Sequence, residues 1–428
     1  MNSTREKRLR QMNNETLIIG VDIAKEIHVA RAFDYRGIEL EDSIEFANDY
    51  LGFSRFKEWI KRIKKTEAKI KLLVGMEPTG PYWFNLARDL KRNDISIVTV
   101  NPKHVKDSKE LDDNSQTKTD HKDAGVIAGL VKDARYSKPN LLEGSYEELR
   151  NSKKLLEMID KDVSRTKNQV INWLDRYFPE YTYAYKDWES KSFVKFLKEY
   201  TFPSIIAKKT VEELYTFLPS KQRRGVGRRK INCLITAAKR SVGILEGLEV
   251  AKFEIEYLLK KYEIFEKQKE KLMKKIEEIS KDLPEVKKLV KIKGFGLKTA
   301  SIIIAELGDL NNYDDAKQVI KMAGLSLVEH SSGKYKGKVK ISKRGRSTLR
   351  KTLYLVMVGM VGSNKVFKKL HQYYTGRRKN QLEKKASIIA LCRKLIRIIY
   401  TIITKDLEYD EEKILRDIQW PEEFLISA

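Results

Sequence analysis

Residues 17–25 read LIIGVDIAK. An apolar run this short, stopped by an acid, is the pattern of a strand buried on both faces. The residues that follow extend it into a sheet. IHVARAFD (27–34), a turn at Tyr35-Arg36-Gly37 and IELEDSIEFAN (38–48) predict two further strands joined to the first by hairpins. A helical period occupies 50–64. The strand KLLVGMEP (71–78) follows, then a helix opening near Gly80-Pro81, the strand ISIVTVN (95–101), and helices after Pro102 and Thr119. The order βββαβαβα over residues 15–140 predicts a mixed α/β sheet with helices, of the ribonuclease-H-like type. Residues 1–14 read as a polar, basic tail.

Four acids stand out on this frame. Asp22 and Glu77 each close an apolar strand, and Asp120 and Asp123 have the i, i+3 spacing that puts two carboxylates on one helix face. Strand ends and a helix face are rigid places to hold groups. The chain around them is strongly basic, with 86 Lys and Arg against 60 Asp and Glu in 428 residues, a net charge of +26. Such an excess attracts a polyanion. Clustered carboxylates would repel phosphate unless divalent cations stood between them, so the combination predicts metal-dependent phosphodiester chemistry with Mg2+ or Mn2+. Each acid alone has a plainer role, since Asp120 or Asp123 could simply cap a helix.

The remaining sequence is mainly helical. Over 141–284, Leu149, Leu156, Val163 and Val170 recur every seven residues. Ile255, Leu258, Tyr262, Phe265, Leu272, Ile276, Ile279 and Leu283 follow alternating steps of three and four, interrupted once at Lys269. This pattern predicts a helical arm: an antiparallel or dimerising coiled coil, or an amphipathic helix packed on its own domain. SKQRRGVGRRK (220–230) reads as a flexible basic loop in which Arg223, Arg224, Arg228 and Arg229 grip phosphate. From 285 to 405, IKGFGLKTA suggests a helix-hairpin-helix whose Lys293 and Lys298 flank a phosphate-facing turn. Ser331, Ser332, Ser342 and Ser347 lie in a basic stretch carrying Lys334, Lys336, Lys343, Arg344 and Arg346. These serines suit either nucleophilic attack or hydrogen bonding to phosphate. Residues 406–428 form a C-terminal tail.

Cys233 and Cys392 permit neither a disulfide framework nor zinc spacing, and the five histidines form no ligand pattern. Residues 386–404 are apolar but interrupted by Arg393, Lys394 and Arg397, so no membrane span is expected. A reducing, cytoplasmic and nucleoid-associated setting fits.

The stretches IGVDIAKE (19–26), MEPTGPYW (76–83), NPKHVKD (101–107), KTDHKDA (118–124), IKGFGLKTA (292–300), MAGLSLVEHSSG (322–333) and ISKRGRSTLRKTL (341–353) together resemble the DEDD-type insertion-sequence transposases. The resemblance implies a Holliday-junction-resolvase-like N-terminal domain with Asp22, Glu77, Asp120 and Asp123 holding Mg2+. It also implies a C-terminal transposase domain with Ser332 as nucleophile, a protein–DNA ester, homodimers or homotetramers, DNA as substrate and a structured bridge RNA as guide. The chain departs from the family pattern in having Leu327 where a proline is usual and a second serine, Ser331, beside Ser332. Two rival functions remain open: a hydrolytic resolvase that leaves free 5′-phosphates, and a non-enzymatic nucleic-acid scaffold indifferent to Asp22→Asn.

Overall fold

A computed structural model of the chain describes residues 3–109, 119–184, 188–329, 331–332, 335–337, 339–377 and 380–416. Its contacts divide it into two compact units, Met1–Leu141 and Leu142–Ala428.

The first unit opens with α1 (Ser3–Gln11) and the meander β1 (Thr16–Asp22), β2 (Ile27–Phe33) and β3 (Glu39–Ala47). After it come α2 (Tyr50–Thr66), β4 (Lys71–Met76), α3 (Trp83–Arg92), β5 (Ile97–Val100), α4 (Pro102–Ser108), α5 (Asp120–Lys132) and β6 (Tyr136–Ser137). The sheet order is β3-β2-β1-β4-β5-β6. β1 pairs antiparallel with β2 and parallel with β4, in a register that puts Val21 beside Met76. This is the mixed, ribonuclease-H-like arrangement. Both faces of β1 are covered. Leu17, Ile19 and Val21 join the core under α2 and α3, where Phe46 and Phe56 stack with ring centroids 4.4 Å apart. Ile18 faces the other way, into the core that α4 and α5 close with Val105, Val126, Ile127 and Val131. An alternating pattern would have left one face wet; the unbroken apolar run is what two helical layers require.

Two local features depart from the sequence reading. The N-terminal residues are not merely a tail: α1 docks on this unit, with Arg5 Nε donating to the Asp133 carbonyl and Arg8 lying over the Tyr136 ring. β6 is a two-residue strand, too short to carry a periodic signal.

The second unit is built on two long helices, α6 (Gly144–Tyr177) and, after the short α7 (Tyr181–Ala184), α8 (Lys191–Glu199), α9 (Pro203–Ile206), α10 (Val211–Phe217) and α11 (Ser220–Lys239), α12 (Leu248–Ser280). Trp173 Nε1 donates to the Ala251 carbonyl, Arg176 bridges to Glu254 and Lys269 to Asp160, so the pair runs antiparallel. The heptad positions Val163, Val170, Ile255, Leu258 and Tyr262 are thus consumed within the chain, in a core shared with α8–α11. The rest comprises α13 (Pro284–Val290), α14 (Leu297–Leu307), α15 (Ala316–Met322), the two-residue strands β7 (Leu327–Val328), β8 (Ser331–Ser332), β9 (Tyr335–Lys336) and β10 (Lys340–Ile341), α16 (Ser347–Ser363), α17 (Lys365–Gly376), α18 (Lys384–Thr404) and α19 (Glu411–Arg416). Leu149, Leu156 and Ile276 of the long pair also pack into the core of this region.

The expected basic loop at 220–230 is instead the first half of α11, kinked where Gly227 adopts φ 61°. Arg and Lys are good helix formers, and the left-handed glycine lets the helix bend without ending. Among the described residues no helix is long and apolar enough to cross a membrane.

Candidate active site

Two glycines decide how the four acids meet. Gly20 and Gly75 lie two residues before Asp22 and Glu77, so each shares a sheet face with its acid. A Cβ on Gly20 would stand 2.0 Å from the Ala124 carbonyl oxygen of α5, and one on Gly75 2.4 Å from a Val131 methyl. The missing side chains let α5 lie directly on β1 and β4. Its first turn, bearing Asp120 and Asp123, then sits beside the ends of those strands. Thr119 caps the helix by accepting from the Lys122 amide, which fixes where the turn begins. The positive end of the helix dipole falls among the carboxylates and partly offsets their mutual repulsion.

Substituting Gly20 by alanine should therefore cost about 2–3 kcal/mol of stability, because a backbone carbonyl cannot rotate away. It should also weaken divalent-ion binding by lifting Asp123 away from Asp22. Paired thermal melts with and without Mn2+ check this, and an unchanged metal response would show that the α5 contact does not position the acids.

The electrostatics report the convergence. The Asp22 carboxyl is pushed up to about 6 by burial, then by Asp123, Asp120 and Glu77, with Lys109 pulling in the opposite direction. Glu77 accepts from Thr79 Oγ1 at 3.2 Å. Asp123 is 5% exposed; its Oδ2 accepts from Lys109 Nζ at 2.6 Å, while its buried Oδ1 has no hydrogen-bond partner among the described residues. An unsatisfied buried carboxylate oxygen costs about 1–3 kcal/mol, and a hard divalent cation would satisfy it. The donor set therefore fits such an ion. Among the described residues, no three His, Cys, Asp or Glu side chains already stand in a ligand cage. His121 faces away from the acids, toward Ser43 Oγ at 3.0 Å and Glu45 at 3.3 Å.

The other candidate residues lie in the second unit. Ser332 is in β8, pairing with Tyr335 of β9, and Ser331 pairs with Lys336. The side chains of Ser331, Ser332, Lys336 and Arg224, and the whole of Lys334 and His330, lie outside the described residues. Gly296 caps α14, and Gly294, at φ 101°, makes the preceding turn, so the expected helix–turn–helix is present. Lys293, Lys343, Arg344 and Arg229 are exposed. Lys298 is 3.8 Å from Glu277. Arg346 is half-buried and donates to the Glu306 carbonyl. Arg223 and Arg228 are turned to local work: Arg223 donates to the Leu218 and Thr216 carbonyls, Arg228 pairs with Glu212, and both guanidiniums lie over the Tyr215 ring.

Sequence reasoning missed Gly20, Gly75 and Lys109. The glycines had a signal, the same Gly-x-acid spacing in both strands. Lys109 had none, because its partner is set by how α4 and α5 fold together.

A ribonuclease-H-like sheet with acids at the ends of its two central parallel strands and on a covering helix defines a metal-dependent nucleic-acid enzyme. Residues 19–179 match the family model described as Transposase, of the DEDD IS110 type, and residues 286–374 match that of the Transposase IS116/IS110/IS902 family. The chain is 25% identical over 352 residues to the transposase for insertion sequence element IS1111A of Coxiella burnetii, covering 81% of this chain and 78% of the relative. It is 30% identical over 125 residues to the pilin gene-inverting protein of Moraxella bovis, covering 29% of this chain and 38% of that one. It is 30% identical over 148 residues to the transposase for insertion sequence element IS1328 of Yersinia enterocolitica, covering 31% and 42%. The chain belongs to the IS110 family of DEDD-type transposases.

Proposed function

We propose that this transposase cuts and rejoins DNA through a serine–DNA ester, with Asp22, Glu77, Asp120 and Asp123 holding Mg2+ and Ser332 as nucleophile. The observation that carries the metal half is the convergence of three other acids on Asp22 at the start of α5. Bound Mg2+ supplies charge neutralisation at the scissile phosphate. Ser332 Oγ forms the new O–P bond as the bond to the leaving deoxyribose oxygen breaks. The serine proton is lost and the leaving oxygen gains one. The number of phosphate esters is unchanged, so rejoining needs no external energy source. The exposed Lys343, Arg344, Lys293 and Arg229 fit backbone contacts with nucleic acid.

A structured guide RNA and assembly into homodimers or homotetramers belong to the same proposal. Val250, Phe253, Tyr257 and Ile264 form an exposed apolar stripe on α12, on residues the α6 pairing does not bury, which suits contact with a second copy. Sequencing the RNA that copurifies with the full chain tests the guide, and light scattering tests assembly. Random cellular RNA and a monomer at all concentrations would remove these two parts. A labelled element-end DNA tests the chemistry: free 5′-phosphates without any protein adduct would replace strand exchange by hydrolysis.

Lys109 gives a further expectation. Its ammonium neutralises Asp123 where a metal ion would otherwise do so. Lys109→Met should tighten Mn2+ binding by about tenfold, equivalent to roughly 1.4 kcal/mol, as read by titration calorimetry. Weaker binding would instead make Lys109 a support for the site.

A further inference from the structure

The C-terminal helices enclose a cavity of about 660 Å³ bordered by α17, α18 and the segment leading into α19. Its charge is one-sided. Arg377, Arg393, Arg397 and Lys413 all line it. Arg393 and Arg397 sit one turn apart on α18, a spacing at which like charges repel. Arg393 Nε is buried and has no hydrogen-bond partner among the described residues. Burial and then Arg397 hold the Arg393 guanidinium below its ordinary range. The acids at the rim are engaged elsewhere: Glu408 pairs with Lys291 at 2.8 Å, and Asp410 accepts from the Glu412 and Lys413 amides. Buried like charges destabilise a fold unless an anion completes them.

The opposite wall is aromatic and apolar. Tyr374 lines the cavity with its ring 5.4 Å from the Arg377 guanidinium, and Ile398 and Ile402 lie beside it. A volume of this size holds a ligand of a few hundred daltons. A base inside a duplex is stacked and paired and cannot enter such a recess, whereas a splayed single-stranded nucleotide can.

We propose that this cavity binds one unstacked nucleotide of a single strand, with its base against Tyr374 and its phosphate on Arg393 and Arg397. The ligand class rests on the nucleic-acid reading above. The site is separate from the acids, so Asp22→Asn protein, inert in cleavage, should still fill it.

Fluorescein-labelled dT12 and U12 serve as probes in anisotropy titrations of the full chain. The Arg393→Gln/Arg397→Gln variant should bind at least tenfold more weakly. Its affinity should also depend less on salt, by about one in the log–log slope, at roughly 0.7 per phosphate contact. A photoreactive 4-thio-pyrimidine strand should crosslink to the peptide containing Tyr374 in the wild type only. Loss confined to U12 assigns the site to RNA, loss confined to dT12 to DNA, and loss of both to single strands generally. Wild-type affinity and slope in the variant, or a crosslink that maps elsewhere, overturns the proposal. If the variant melts early, Arg397→Gln/Lys413→Gln, at two exposed positions, carries the same measurements.

Discussion

Asp22→Asn should abolish DNA strand cleavage and, at the same time, make the metal-free protein more stable. In the unfolded chain the Asp22 carboxyl titrates near 3.8, and in the fold it rises to about 6. Between these values the folded state holds the proton more tightly, so stability contributed by the protonated form is present at low pH and is lost as pH rises through about 6. Taken in full, the difference amounts to roughly 3 kcal/mol. Asp22 is only partly buried, and solvent screening brings this to about 1–2 kcal/mol. Asparagine carries no charge, so the penalty disappears.

At pH 8 without metal, the variant should therefore melt a few degrees above the wild type, and the gap should close as pH falls toward 4. Added Mg2+ should raise the wild-type melting temperature and leave the variant little changed. Cleavage of element-end DNA should drop by about a thousandfold or more, the scale expected when charge stabilisation at a scissile phosphate is removed. A variant that is less stable than the wild type and still cuts would make Asp22 a structural residue.

Ser332→Ala should eliminate the covalent protein–DNA species. Without the hydroxyl no ester can form, and the loss of a nucleophile costs about a thousandfold or more in rate. The metal response should survive, because the acids belong to the other compact unit. Labelled DNA that migrates with the denatured protein is the direct readout. Ser331→Ala should retain adducts. Adducts in Ser332→Ala but not in Ser331→Ala would move the nucleophile by one residue. Adducts in both would place it elsewhere.

Much of the first unit is legible in the sequence because its signals are local. The run at 17–22 is apolar at every position but one before it ends at Asp22, and only a strand covered on both faces uses such a run. Asp120 and Asp123 share a helix face by spacing alone. The expected loop at 220–230 shows the limit. Glycines within a basic run read as flexible, yet Val226 is buried and anchors the helix there, with only Gly227 departing from helical geometry. The heptads likewise announce a partner without naming it, and the structure supplies α6 and α12 to each other.

The sequence by itself determined the order of elements, the basic charge, the four acids and the motifs that place the chain in its family. All of these are properties of residue type and spacing. Only the tertiary structure decided that Gly20 and Gly75 bring α5 down onto two strand ends, that Lys109 neutralises Asp123, and that Arg393 faces other cations in one recess. Each of these depends on which surfaces meet across long stretches of chain, and contact distance, burial and the resulting electrostatics exist only once the chain has closed on itself.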